Sequence, residues 1–400
     1  MVYDPLKKYW MVIFIIACSC IIMNLLSLDL NHLLWDLNVY TRAVSDYAQG
    51  NDPYRDNVSF LFIYHPYVLK TFVFLNYFFS IKIWLVCFYF VSGIIFIREF
   101  LLFSRLHKEV EDKDQNLSIV LVLFAALCFG GTGLLALKTG NITLFLHFLL
   151  LAAFFYSHRE KSGETPFTYA FIIIVASVIK PNFLAYVLLL PYLMRQISVL
   201  YVISLTCFVS LLVWLSAKII MPDLYASFMG ALHYQTIGKG DLGYSIFGLI
   251  QNKIGEAFGI FFHSVIMLSY LSLVLFYARK SGLDWRSKHF IPLIIIFIIF
   301  INPRMMIYDF PVAILFGYFY LWIFGRSSLR AVRVIVLSML ISSVPITFNL
   351  FAKLGVFEPI GILMNSALFQ FFGLLILLVA IFFSALGQVY LHSPSSRHTP

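Results

Sequence analysis

Residues 291–301 read Ile-Pro-Leu-Ile-Ile-Ile-Phe-Ile-Ile-Phe-Ile and are followed at once by Asn302-Pro303-Arg304. The run does not alternate polar and apolar residues as a strand of a membrane β-barrel would. An apolar helix of about 20 residues spans the roughly 30 Å hydrocarbon core of a bilayer. Of the 400 residues, 61% are hydrophobic and 12% are charged, whereas soluble domains carry about 25% charged residues. The sequence therefore predicts an all-α, polytopic integral membrane protein.

About 10–12 apolar segments are expected, in a single membrane domain over residues 1–400. Residues 29–81 would form an external first loop, residues 82–310 the core, and residues 311–400 the C-terminal transmembrane helices. Several segments are shorter than a full span, which predicts bent or re-entrant helices around 167–194 and 290–324. The predicted segments lie near residues 9–28, 82–103, 117–137, 141–157, 167–180, 182–194, 197–220, 257–278, 290–301, 309–324, 333–350 and 366–390.

Basic residues predict the orientation of these segments. Lys and Arg concentrate in the short connections that would face the cytoplasm, as the positive-inside rule requires. Both termini are then cytoplasmic, and a bacterial inner membrane is the expected location. The formal charge of +9 is spread along the chain in this way rather than gathered in one patch, so we expect no nucleic-acid partner. The polar clusters of the chain fall on the opposite, external side.

The long first loop carries structure of its own. Residues 41–49 predict a short interfacial helix, ended by the turn-forming residues Gly50-Asn51-Asp52-Pro53. Residues 66–81 mix aromatic side chains with Lys70 and Asn76 and predict an amphipathic helix in the membrane interface. The connection 221–256 is also external.

Asp36 is the first candidate for chemistry, since it lies just beyond the first apolar segment. A carboxylate at the interface can take a proton from an acceptor hydroxyl as a general base. An ordinary aspartate that caps the following helix is the alternative. Asp29, Asp46, Asp52 and Asp56 are competing carboxylates, and Asp52 suits a turn before Pro53.

Lys180-Pro181 interrupts an otherwise apolar stretch. Ionisable residues within membrane segments are costly and tend to be functional. Near the external surface, Lys180 could pair with a lipid phosphate. Snorkelling of its amine towards water is the alternative.

Arg304, Tyr308 and Asp309 form a third cluster in a short external turn. The planar guanidinium suits bidentate contact with phosphate. A structural ion pair between Arg304 and Asp309 is the alternative. Weaker candidates on the same side are Lys138 and Asn141, and His65 is more often structural than catalytic.

At these residues the chain resembles the polyprenol-phosphate-dependent glycosyltransferases of the GT-C superfamily, specifically glycosyltransferase family 87. The resemblance covers about residues 5–310 and is moderately specific as an ordered set. It rests on Asp36-Leu37-Asn38-Val39-Tyr40, Gly50-Asn51-Asp52-Pro53-Tyr54, Tyr64-His65-Pro66, Gly140-Asn141, Lys180-Pro181, Tyr244-Ser245, Asn302-Pro303-Arg304 and Tyr308-Asp309.

The resemblance implies a GT-C-like fold and an inverting transfer of a hexose, mannose being the best-known case, from a polyprenyl-phosphate sugar. The acceptor would be the hydroxyl of a lipid-linked glycan or glycolipid. No cofactor and no obligatory metal are expected. By position, Asp36 would be the base and Lys180 and Arg304 would hold the donor phosphate. The implied substrate-binding residues are Tyr40, Asp52, Tyr54, His65, Asn141, Tyr308 and Asp309.

Three positions depart from the family pattern and leave the donor sugar open. His65 stands where a second proline is common, Asn141 where glutamine is usual, and Asp309 where mannosyltransferases often have histidine. The main rival function is a transporter or lipid flippase, with Lys180 at a discontinuous helix. A membrane acyltransferase would need a buried catalytic histidine, for which His147 is the obvious candidate.

Overall fold

The structure is a computed structural model that describes residues 5–26, 34–55, 61–105, 115–160, 164–194, 198–235, 245, 247–248, 251, 255–284, 286–302, 304–306, 308–324, 328–355 and 366–392. These residues form helices joined by short connections and contain no strand. The longer α-helices are α1 (Pro5–Leu26), α2 (Trp35–Ala48), α3 (Pro66–Phe78), α4 (Ile81–Arg105), α5 (Gln115–Cys128), α6 (Thr132–Thr139), α7 (Ile142–Glu160), α8 (Thr165–Ile179), α9 (Ser198–Ile220), α10 (Pro222–His233), α11 (Glu256–Ser281), α12 (Ile291–Phe300), α13 (Phe310–Phe324), α14 (Ser328–Lys353) and α15 (Ser366–His392).

Six helices in the described part of the chain are long and apolar enough to cross a membrane, and shorter apolar helices accompany them. This confirms the prediction of an all-α, polytopic membrane protein. The short segments are the expected ones, including α8, α12 and α13. After α8 the chain continues as a 3-10 helix, Pro181–Leu189, and one further α-helical turn, Leu190–Leu193.

Burial separates the central helices from the peripheral ones. In α7, 72% of an apolar stretch of 18 residues is buried inside the protein, whereas the corresponding share is 22% in α9 and 17% in α11. The outer faces of α9 and α11 therefore expose large apolar side chains, as expected for surfaces that contact lipid. Around the centre, α7 packs against α4 and α8, while α14 packs against α1 and α15. The C-terminal helices are thus part of the same packed bundle.

The two ends of the bundle carry different side chains. Lys82, at the start of α4, donates to Asn38 Oδ1 of α2 at 2.9 Å. Towards the other end of α4, the buried Glu99 carboxylate lies 3.1 Å from Arg159 at the end of α7. The polar clusters predicted to be external and the arginines predicted to be cytoplasmic therefore occupy opposite ends of these helices. Which end faces outward stays a prediction.

The first helix of the 29–81 loop begins at Trp35, so the predicted start at Thr41 was wrong. The physical reason is that Leu37, Tyr40 and Val44 recur at helical spacing and bury one face of α2. Asp36 consequently lies in the first turn of the helix rather than in the loop before it.

Two further boundaries differ from the prediction. The segment 117–137 is interrupted where Gly130 and Gly131 adopt φ of +51° and +72°, a left-handed conformation that glycine adopts readily. The interruption separates α5 from α6. In addition, the connection 221–256 contains α10, whose first turn is favoured by Pro222 and Asp223.

Candidate functional site

The Asp36 carboxylate is held at the start of α2 by neighbours from the end of α6. Asn141 Nδ2 donates a hydrogen bond to Asp36 Oδ2 at 3.0 Å, and the side chains of Trp35 and Thr139 also hydrogen-bond to this carboxylate. Asp36 is half-buried, whereas Asn141 is buried. Burial raises the pKa of the Asp36 carboxyl, and the Asn141 bond and the Lys180 charge oppose that rise only in part.

Gly140 presents Asn141 to Asp36. It ends α6 in a left-handed conformation with φ +68°, and a Cβ at this position would lie 2.9 Å from Leu37 Cγ. The Gly140 carbonyl accepts a hydrogen bond from the Tyr89 hydroxyl. A side chain here would therefore push α2 away from the α6–α7 connection.

The same connection anchors the residue before α2. Leu34 N–H donates to the Lys138 carbonyl at 2.7 Å. Leu34 has φ +57°, which is unusual for a residue other than glycine. This backbone contact fixes the position of the first turn of α2, and hence of Asp36.

Lys180 lies at the break between α8 and the 3-10 helix, with an extended backbone. Its ammonium donates to Thr143 Oγ1 and lies 5.9 Å from the ring centroid of Tyr64 and 5.5 Å from that of Tyr308. Thr143 N–H in turn donates to Asn141 Oδ1 at 2.9 Å. A chain of hydrogen bonds thus runs from Asp36 through Asn141 and Thr143 to Lys180.

Arg304 belongs to the same cluster. Its backbone N–H donates to Asn302 Oδ1 at 3.1 Å, and its carbonyl accepts from Asn302 Nδ2 at 3.0 Å. The charges of Asp309, Arg304 and Asp36 all act on the Lys180 ammonium. Pro303, between Asn302 and Arg304, lies outside the described residues.

The Asp309 carboxylate has two hydrogen-bond partners. Its Oδ1 lies 2.9 Å from His147 Nε2, and its Oδ2 accepts from Met306 N–H at 2.8 Å. Tyr308, the residue before Asp309, is half-buried, and its ring lies near the Lys180 ammonium. The carboxylate therefore closes the turn that carries Arg304, rather than acting as a surface ion-pair partner.

Buried tyrosines frame one side of the cluster. The hydroxyls of Tyr40 and Tyr64 are 2.9 Å apart, and Tyr40 OH accepts from Ile142 N–H at 3.4 Å. Tyr54 OH donates to the Tyr64 carbonyl at 2.9 Å. The implied substrate-binding residues Tyr40 and Tyr54 are thus buried parts of the framework, while Tyr64 reaches Lys180.

Asp52 and His65 do not join the charged cluster through any described contact. Asp52 Oδ1 accepts from Tyr54 N–H at 2.9 Å in an exposed turn. His65 is the N-cap of α3, accepts from Tyr67 N–H through Nδ1, and packs against Trp214 with ring centroids 4.7 Å apart. These contacts support turn-forming and packing roles.

The remaining candidates fall elsewhere. Asp46 pairs with Arg55 at 3.1 Å. Asp29, Asp56 and Tyr244 lie outside the described residues. The contribution of Lys138 to the site is the backbone contact with Leu34.

Sequence reasoning missed Thr143 and undervalued His147. Thr143 follows Asn141 by two residues and His147 follows Thr143 by one helical turn. This i, i+4 spacing of polar residues on a buried helix was a signal that both face the same neighbours. His147 is 2% exposed with both ring nitrogens hydrogen-bonded, so the acyltransferase interpretation has no open imidazole to use.

The arrangement brings one carboxylate with an upward-shifted pKa near the Lys180 ammonium, on which the Arg304 charge also acts. Asp36, Lys180 and Arg304 are each half-buried, so they stay reachable from the end of the bundle. Such a site can accept a proton at the carboxylate and hold an anion at the cations. Within the described part of the chain, no group of three or more His, Cys, Asp or Glu side chains is arranged to hold a metal ion.

Comparison with known proteins does not extend this description. No protein-family model matches the chain, and no curated protein matches it.

Proposed function

We propose that this protein is a membrane glycosyltransferase that transfers a hexose, mannose-like, from a polyprenyl-phosphate sugar to an acceptor hydroxyl with inversion, at the extracytoplasmic face. The observation that carries the proposal is the meeting of Asp36, Lys180 and Arg304. These residues are far apart in the sequence, and the charges of Asp36 and Arg304 both act on the Lys180 ammonium at one end of the bundle. The family resemblance of these positions supports the same function.

In the proposed reaction, Asp36 takes the proton of the acceptor hydroxyl while the hydroxyl oxygen forms a bond to the anomeric carbon. The bond from that carbon to the phosphate oxygen breaks, and its electron pair leaves with the polyprenyl phosphate. Attack from the face opposite the phosphate inverts the anomeric configuration. General-base catalysis of this kind contributes typically about 100- to 10,000-fold.

Lys180 and Arg304 would stabilise the charge that grows on the leaving phosphate. Donors fixed before reaction are effective because they need no reorganisation as charge develops. The Lys180 ammonium is fixed in this sense by Thr143 and by the rings of Tyr64 and Tyr308. The prenyl chain would lie among the apolar helices, and the sugar and phosphate would lie at the end of the bundle.

A panel of radiolabelled polyprenyl-phosphate sugars tests the proposal. Membranes containing the protein, with their endogenous lipids as acceptors, should incorporate label from one donor above membranes lacking it. Nucleotide sugars should give no direct incorporation once polyprenyl-phosphate sugar synthesis is blocked. Absence of incorporation from every donor, with folded protein and several glycolipid acceptors added, would contradict the proposal.

A transporter or flippase is the second candidate. The observation that favours it is the extended backbone at Lys180 between α8 and the 3-10 helix, since transporters form binding sites at discontinuous helices. Reconstituted protein would then move a lipid phosphate across vesicles without transferring sugar. The enzyme proposal predicts transfer in detergent, where no two sides exist.

A further inference from the structure

A buried chain of three polar side chains connects the segments next to the two cations. His147 Nε2 is 2.9 Å from Asp309 Oδ1, and His147 Nδ1 is 2.7 Å from the Tyr186 hydroxyl. All three residues are buried, at 2%, 3% and 0% exposure for His147, Asp309 and Tyr186. Hydrogen bonds fix the positions of buried polar groups, because leaving such a group without a partner costs free energy.

The chain joins the two segments that carry the cations. Asp309 closes the turn after Arg304 by accepting from Met306 N–H at 2.8 Å. Tyr186 belongs to the 3-10 helix that begins immediately after Lys180. His147 on the central helix α7 therefore bridges the Lys180 segment and the Arg304 turn.

Helix α7 contributes a second contact on the same face. Thr143 lies one turn before His147 and accepts a hydrogen bond from Lys180 itself. Residues four apart lie one above the other on a helix. One face of α7 thus sets the position of both cation-bearing segments, with Thr143 at Lys180 and His147 between the two segments.

Both ring nitrogens of His147 are hydrogen-bonded. Nε2 bonds to the Asp309 carboxylate, and Nδ1 bonds to the Tyr186 hydroxyl, whose hydrogen rotates freely. Packing adds to this arrangement, since the His147 ring lies 4.7 Å from the Phe183 ring. Phe183 belongs to the same 3-10 helix as Tyr186.

We propose that His147 is a positioning residue that clamps the Lys180 break to the Arg304 turn, so that both cations reach one phosphate. This inference rests on the proposed function for its phosphate, but the clamp itself is a property of the fold. A histidine that merely filled space would stabilise the bundle without controlling the spacing of the cations. The two roles differ in what a substitution at His147 changes.

His147→Phe is the decisive variant because it keeps the ring packing and removes both hydrogen bonds. Hydrogen exchange of the backbone around Met306 should accelerate by about tenfold or more, as expected when a buried hydrogen bond that holds a turn is lost. The affinity for a short-chain polyprenyl phosphate, measured directly in detergent, should fall by about tenfold. His147→Gln retains a donor towards Asp309 and should recover most of both losses.

Tyr318→Phe is the matched control. It removes the buried Tyr318 hydroxyl, which lies 2.6 Å from Ser338 Oγ. Tyr318 belongs to α13, the helix that follows the Arg304 turn. The variant should leave the exchange around Met306 and the affinity for polyprenyl phosphate unchanged. Equal losses in Tyr318→Phe and His147→Phe would mean that the effects reflect general stability, and would overturn the positioning role.

Tyr186→Phe keeps the test decisive if His147→Phe fails to fold. It removes only the hydroxyl at Nδ1 and should weaken polyprenyl phosphate binding by about threefold, with a smaller rise in exchange around Met306. If His147→Phe does not fold, wild-type exchange and wild-type binding in Tyr186→Phe would overturn the positioning role. A different result is that the wild type binds no polyprenyl phosphate while exchange is still faster in His147→Phe. That result would retain the clamp and reject the proposed function.

Discussion

Asp36 shows how a single residue takes its chemistry from its neighbours. Its position in the first turn of α2 is half-buried, and burial raises the pKa of the carboxyl. The Asn141 bond at 3.0 Å keeps the carboxylate oriented and lowers that pKa in part. A general base with a pKa nearer to neutrality takes a proton more effectively at physiological pH than an ordinary aspartate.

Asn141→Ala tests this account through the pH dependence of transfer. A carboxylate acts as a base only when ionised, so the rate of the proposed transfer should fall as the pH falls through the raised pKa of Asp36. Loss of the Asn141 bond removes an interaction that lowers the pKa, so the acid limb of kcat/KM should move to higher pH. Asn38→Ala is the control, because Asn38 lies on the same helix as Asp36 and its amide bonds to Lys82. This variant should leave the acid limb in place. A limb that stays put or moves to lower pH in Asn141→Ala would contradict the assignment.

Lys180→Gln tests the phosphate contact. A hydrogen bond to a charged group contributes about 1.5–3 kcal/mol, so the affinity for the polyprenyl-phosphate donor should fall by at least about tenfold. Lys82→Gln removes another lysine at the same end of the bundle, and it should bind the donor like wild type. Equal donor affinity in Lys180→Gln and wild type would remove Lys180 from the phosphate site.

At the scale of elements, the site depends on short connections between apolar helices. Gly140 lies in one of these connections and combines φ +68° with close contact to Leu37 of α2. Gly282 ends α11 with nearly the same φ, +66°, but a Cβ there would meet nothing within 4 Å. The two glycines therefore share a backbone conformation and differ in their surroundings.

Gly140→Ala and Gly282→Ala separate these two effects. Each should destabilise the protein by about 1–2 kcal/mol through the left-handed backbone. Gly140→Ala should also displace Asn141 from Asp36, so transfer per folded molecule should fall by about tenfold or more, as small misplacements at a catalytic site do. Activity of folded Gly140→Ala equal to that of Gly282→Ala would show that the close approach of α2 is unimportant.

The sequence predicted most helices because long apolar runs such as 291–301 have few alternatives in a membrane. It also predicted that Asp36, Asn141, Lys180 and Arg304 would share one side. The residues at which helices begin and end were harder to predict from the sequence. The start of α2 at Trp35 depends on buried contacts of Leu37 and Tyr40, and the break in 117–137 depends on glycine conformations. The role of Thr143 follows from the position of Lys180 in space, which no local pattern records.

The whole molecule places the site residues at one end and the arginines predicted to be cytoplasmic, such as Arg159, at the other. The site residues occupy the end of α7 at Ile142, while the Glu99–Arg159 pair lies towards the opposite end. Peripheral helices such as α9 and α11 expose apolar faces between these ends. The predicted orientation puts the site outside the cell and the arginines inside.

Cysteine labelling tests this orientation. Gln49→Cys, just after α2, and Lys280→Cys, near the end of α11, both replace exposed residues. A membrane-impermeant maleimide should label Gln49→Cys in intact cells and Lys280→Cys only after permeabilisation. The wild type, whose five cysteines lie in apolar segments, gives the background. Labelling of Lys280→Cys in intact cells would contradict the predicted topology.

We propose Asp36 as the base that faces a phosphate held by Lys180 and Arg304. The most direct measurement is sugar transfer by purified Asp36→Asn alongside its affinity for polyprenyl phosphate, with Asp223→Asn, an exposed carboxylate on α10, as the control. We predict a loss of transfer of at least about 100-fold with polyprenyl phosphate affinity retained, and wild-type behaviour in Asp223→Asn. Transfer by folded Asp36→Asn at the wild-type rate would contradict the account.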